Sequence, residues 1–128
     1  MPYACPICAV DPTSHSLVIL PQSCFYTCPA KATKYTDTEG IVNHYDGVLG
    51  QHSPKPWTWI FDSAGFELRH MMEVTTATRL ARLINDKYSA NLTKIIVVNP
   101  TWHIRITYMM VKPFLSTALQ SKIEFHSS

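Results

Sequence analysis

Hydrophobic and polar positions along this chain change period several times, and each change marks an element. "SLVIL" (16–20) and "CFYT" (24–27) are short apolar runs of β-forming residues, punctuated by Pro21 and Pro29, and they predict two short strands. In "TDTEGIVNHYDGVLG" the apolar residues Ile41, Val42, Tyr45, Val48 and Leu49 recur at helical spacing. Thr36 and Glu39 stand at capping-box spacing before them, and Gly50 offers a stop. "WTWIFD" (57–62) predicts a strand. Residues 63–92 predict one long helix, with Val74, Ala77, Ala81, Ile84 and Tyr88 on one face.

"KIIVVN" (94–99) is apolar at consecutive positions, as an interior parallel strand is. Asn99 can cap a helix that starts at Pro100, carries Trp102, Ile104, Ile106, Met109 and Met110, and ends at Pro113. After a turn at 114–120, "KIEFH" (122–126) alternates, so one face of a last strand meets water or a polar lining. Residues 57–126 thus read β-α-β-α-β, which implies parallel strands joined by right-handed crossovers. The fold class is α/β with a mostly parallel sheet. Asp62 and Asn99 fall at the carboxyl ends of strands, the edge where open α/β sheets take ligands.

A chain of 128 residues is one domain, 1–128, with 1–35 a cysteine-containing N-terminal segment and 57–128 the best-defined core. Charged residues make up 16% and the net charge is +2, with no basic run, so bulk charge gives no support for nucleic-acid binding. No stretch approaches the roughly 18 apolar residues of a membrane span. The N-terminus lacks a signal-peptide pattern, which points to a cytoplasmic protein with at most peripheral membrane contact.

The segments "KYSANLTKIIVVNPTWHIR" (87–105), "VKPF" (111–114) and "SKIEFHSS" (121–128), together with "IFDSAGF" (60–66), resemble the CRAL-TRIO lipid-binding domain family. They look closest to its compact BCH-like branch. The resemblance implies a sheet that floors an apolar cavity for a lipid tail, covered by a mobile helix, and no catalysis. It also implies, for some BCH-like members, self-association or binding of small GTPases. Family members usually continue past the last strand into the helical cover. This chain reads as truncated at Ser128, so another chain would supply a cover, or the face would serve a protein partner.

On this reading the ligand-binding candidates are Trp57, Trp59 and Phe61 on one face of a central strand, Asn99 at its neighbour's end, and Trp102, Arg105 and Met109 on the following helix. Either face of the 57–62 strand lies under helices, which leaves the other to floor a pocket. Arg105 suits a lipid phosphate or a partner carboxylate, or is simply a solvated helix charge. A hydrophobic small molecule, a phospholipid or phosphoinositide above all, is the expected partner. A homodimer or protein partner is the alternative.

Cys5 and Cys8 have zinc-knuckle spacing. Cys24 and Cys28 are four apart in a predicted strand, about 13 Å between Cα atoms, too far for one tetrahedral ion unless the strand breaks. A structural zinc on Cys5, Cys8, Cys24 and Cys28, with His15 as a spare ligand, therefore competes with plain reduced cysteines. Six histidines fit no triad spacing, there is no G-x-S-x-G elbow, and four glycines form no phosphate loop. Asp62 is a candidate acid, or bonds the backbone of its own turn ahead of Gly65. The expectation is a binding module rather than an enzyme.

Overall fold

The computed structural model describes residues 17–20, 23–32 and 36–126. Its centre is a five-stranded sheet in the order β1-β2-β3-β4-β5: Leu17–Leu20, Cys24–Thr27, Trp57–Asp62, Leu92–Val98 and Ile123–His126. β1 is antiparallel to β2, and the four strands from β2 onward are parallel. The strands appear where the apolar runs predicted them, to within two residues at each end.

Register sorts the strand residues into two faces. Phe25, Trp59, Ile95 and Ile123 lie side by side across four strands, and Thr27, Phe61, Val97 and Phe125 form the next row. Between these rows, Tyr26, Ile60, Ile96 and Glu124 point to the opposite face. Phe25, Thr27, Trp57, Trp59, Ile95 and Val97 are buried, whereas Cys24, Tyr26, Thr58, Ile60, Ile96 and Val98 are half-buried. Each crossover places the next strand on the same side of the last, so right-handedness sends every connecting helix to one face. Among the described residues the other face carries no helix.

Helix α1 (Thr38–His52) buries Ile41, His44, Tyr45 and Leu49 at helical spacing. Its cap is Asp37, which accepts from the Gly40 amide at 3.2 Å, and not the Thr36–Glu39 box. Glu39 instead pairs with Arg79. Gly50 does not stop the helix, which runs two residues further; a Cβ there would sit 3.3 Å from the Tyr88 hydroxyl.

The long helix expected over 63–92 is broken into four pieces. Residues 63–66 form a turn closed by the Phe66 amide on the Ser63 carbonyl at 2.9 Å, with Gly65 at φ 78°. A single turn, α2 (Leu68–Met71), follows; the His70 Nδ1 accepts from the Glu67 amide at 3.0 Å, a reciprocal cap. α3 (Val74–Leu83) then starts afresh. Its first residues, Val74, Thr75 and Thr76, are β-branched and poor at carrying a helix through from the preceding turn. From Ile84 to Tyr88 the coil widens to π geometry, and a 3₁₀ turn (Ser89–Asn91) leads into β4.

Helix α4 (Trp102–Val111) is capped by Thr101, whose hydroxyl accepts from the Ile104 amide at 3.3 Å. Asn99 is therefore not the cap. It adopts φ 51°, a left-handed conformation that asparagine tolerates, and turns the chain away from β4. Pro113 sits in a 3₁₀ turn (Lys112–Phe114), and the predicted 114–120 turn holds a further helical turn, α5 (Thr117–Gln120).

Candidate functional site

Between the sheet and its helices lies a cavity of about 150 Å³. Its floor is the Trp59 row and the Phe61 row, from Thr27 across to Ile123 and Phe125. α3 walls it with Thr76, Ala77, Leu80 and Ala81, and α4 with Ile104, Thr107, Tyr108 and Val111. Small side chains at Ala77, Ala81 and Thr107 leave the space that close-packed interiors usually fill.

The polar groups in this lining are already engaged. The Trp59 Nε1 donates to the Thr27 hydroxyl at 2.8 Å, which shares a hydrogen bond with the Tyr45 hydroxyl at 2.9 Å. Thr76 pairs with Thr38 at 2.6 Å, and the Thr107 hydroxyl donates to the His103 carbonyl at 3.0 Å. No carboxylate, ammonium, guanidinium or imidazole group lines the space. A guest here gains from apolar burial and from nothing else, so the part of it that enters is hydrocarbon-like.

Of the sequence-predicted binding residues, Trp59 and Phe61 line the cavity. Trp57 shares their face but lies beyond it, packed edge-on against Phe25 and donating to the Tyr88 carbonyl at 3.0 Å. The three rings form a row with centroids 6.0 and 5.8 Å apart. Asn99 sits at the exposed carboxyl edge. Trp102, Arg105 and Met109 occupy the outer side of α4, away from the cavity, with the Arg105 guanidinium 5.1 Å from the centre of the Phe125 ring. The sequence reading missed Tyr45, Leu80, Ile104, Thr107, Val111 and Phe125. The spacing of 104, 107 and 111 was a signal, but one that marks ordinary core as readily.

Asp62 belongs to a separate polar cluster on the opposite face. It accepts from the Tyr26 hydroxyl at 2.6 Å, from the Ala64 amide at 3.0 Å and from the Asn99 side chain at 3.2 Å. Burial pushes its pKa up, but these hydrogen bonds outweigh burial and hold the carboxyl below its ordinary value. It is an ionised acceptor that fastens its own turn and ties β2, β3 and the end of β4 together, not an acid poised to give a proton. A second cluster joins α1 to the π segment: Asp46 accepts from Lys87 at 2.8 Å and from the Tyr88 hydroxyl.

Of the cysteines proposed as zinc ligands, Cys5 and Cys8 lie outside the described residues, as does His15. Cys24 is in β2, and Cys28 follows it with extended backbone, its Sγ 3.7 Å from the Ala64 carbonyl. Among the described residues no three His, Cys, Asp or Glu side chains converge to hold a metal.

These groups set a pH window for stability. Burial depresses the His70 pKa below its ordinary 6.5, with Arg69 adding to the effect. Its contribution is complete above pH 6.5 and is lost as pH falls through the depressed value. Asp46 and Asp62, both held below 3.8, contribute above that pH and lose the contribution on further acidification. Burial first, then hydrogen bonding to those aspartates, raises Tyr26 and Tyr88 above 10.0, so their contribution fades only in strong alkali. Urea midpoints measured against pH should be flat from 6.5 to 10.0 and fall in two stages on the acid side. The first stage should vanish in His70→Asn.

A one-sided α/β sheet with an apolar, uncharged hollow under its helices defines a protein that takes hydrophobic molecules rather than one that transforms polar ones. The chain belongs to the CRAL/TRIO domain family, whose family model matches residues 31–128. Domains of this family are generally lipid-binding and non-catalytic. Among curated proteins it is similar to Protein prune homolog 2 of Mus musculus, 22% identical over 111 residues. That match covers 87% of this chain but 4% of the mouse protein's length. No helix of the described residues is long and apolar enough to cross a membrane.

Proposed function

We propose that this chain is a non-catalytic module that holds the tail of a lipid, a phospholipid or phosphoinositide above all, in the cavity between its sheet and helices. The observation that carries the reading is the absence of any charged group, and of any unengaged polar group named above, from a lining of Trp, Phe, Ile, Val, Leu and Ala side chains. A cavity of about 150 Å³ is the size that takes a benzene-like guest or a short run of methylenes. At ~0.8 kcal/mol per methylene, six carbons give roughly 5 kcal/mol, so the cavity alone binds weakly and the rest of the molecule sets specificity.

The test is native mass spectrometry and lipid extraction of the purified chain, beside Ala77→Leu/Ala81→Leu, which adds three carbons to the wall at each position. Recovered lipid in the parent, reduced more than tenfold in the filled variant, supports the reading. Retention of lipid in that variant, with loss in Ile96→Glu, would move the guest to the opposite face of the sheet.

A second reading is a BCH-like interaction module that self-associates or binds a small GTPase or other partner. It is favoured by the open sheet face, where Ile60, Ile96 and Val98 are half-buried with no helix of the described residues over them. Light scattering that rises with concentration, without lipid, would select it.

A further inference from the structure

The outer surface of the helical layer is apolar where water-facing helices are normally polar. Trp102 is 64% exposed and Met109 70% exposed on α4, while the other two tryptophans, Trp57 and Trp59, are 4% and 8% exposed. Leu68 and Met72, at 53% and 70%, lie on and just after α2, which packs against α4. The Thr101 hydroxyl donates to the Phe66 carbonyl at 2.9 Å and pins the start of α4 beside the start of α2, so the two exposed sets are neighbours. Contiguous exposure of large apolar side chains marks an interaction surface.

Charge indicates what covers it. From Lys87 to Lys122 the chain carries five basic residues and no acidic one. Within α4 and its 3₁₀ extension, Arg105 and Lys112 are exposed beside Trp102 and Met109. On the α2 side, the Glu67 carboxylate is paired with Arg69 at 3.1 Å. Tryptophan, methionine and cations of one sign on a single helix suit a negatively charged, deformable apolar medium.

We propose that the α2–α4 face docks on an anionic lipid bilayer. α4 lies in the plane of the interface, with Trp102, Met109, Leu68 and Met72 at the boundary of headgroups and acyl chains. Arg105 and Lys112 meet the anionic headgroups, their aliphatic stems packed along the apolar surface. The inner side of α4 walls the cavity through Ile104, Thr107 and Val111, so docking sets that wall against the bilayer. The surface stands on its own observations, whether or not the cavity takes a guest.

The experiment is co-sedimentation of the full chain with vesicles of phosphatidylcholine alone and of phosphatidylcholine with phosphatidylserine, read together with tryptophan emission. The expected result is binding to the serine-containing vesicles, weakened by salt, with a blue shift contributed by Trp102. Trp102→Phe isolates the silent background of Trp57 and Trp59. Trp102→Ala and Met109→Ser should each weaken binding about tenfold, and Arg105→Gln and Lys112→Gln about fivefold each. No association with serine-containing vesicles overturns the proposal, as does association that the Trp102 and Met109 variants leave unchanged. A blue shift that grows with protein concentration without vesicles would assign the face to a second copy. Extracted lipid content, measured on the same samples, reports the cavity separately.

Discussion

Trp59→Ala should cost about 3–5 kcal/mol of stability, the range for removing a large buried aromatic side chain. The ring is 8% exposed and sits between Trp57, Phe61 and Tyr45, with centroids 6.0, 5.8 and 6.1 Å away. It floors the hollow and anchors the Thr27–Tyr45 hydrogen bond from β3. Its loss joins a new void to one already present, and the neighbours cannot close both. Trp59→Phe separates the two contributions: packing is mostly kept, and the missing indole donor costs about 1–3 kcal/mol at Thr27. Urea denaturation gives both values. A Trp59→Ala midpoint no lower than that of the exposed Thr93→Ala would refute this account of the core.

The second large effect is expected at Gly65. Its φ of 78° lies in the left-handed region, at the third residue of the Ser63–Phe66 turn, where type II geometry calls for glycine. A Cβ would also come within 2.8 Å of the Ala30 Cβ, in the 3₁₀ turn Pro29–Lys31 after β2. Gly65→Ala should therefore destabilise by about 1–3 kcal/mol from backbone strain alone, with the collision added to that. The pair Gly65→Ala/Ala30→Gly relieves the collision but not the strain. A double-mutant cycle in urea should thus recover part of the loss. No recovery would mean that the turn, not the collision, carries the whole cost.

The strands were legible because their signal is local. "WTWIFD" and "KIIVVN" are runs of β-formers bounded by breakers, and the sheet order follows from right-handed crossovers once the order of elements is known. The helical region from 63 to 92 was not legible in the same way. Its apolar spacing fits one continuous helix, but Gly65 and the return of the His70 ring to the Glu67 amide act through turn geometry and interrupt it. The cap at Thr101 instead of Asn99 has the same origin, because a left-handed asparagine and a proline simply extend the loop by two residues.

For the site, alternation along β3 placed Trp57, Trp59 and Phe61 on one face, and the structure puts two of the three at the cavity. Helix α4 misled because both of its sides are apolar: Ile104 and Val111 face inward while Trp102 and Met109 face outward. Spacing alone gives no way to choose between such faces. The small residues Ala77, Ala81 and Thr107 carry no pattern either. They make a hollow only when the opposing wall is known.

The order of strands in the sheet repeats their order in the chain. Every strand after the first is laid beside the one made just before it, and no later segment must be threaded between two earlier ones. The layer can therefore grow by accretion in one direction, starting at the β1–β2 hairpin and finishing with β5 at the rim. Each completed β-α-β step then serves as the template for the next.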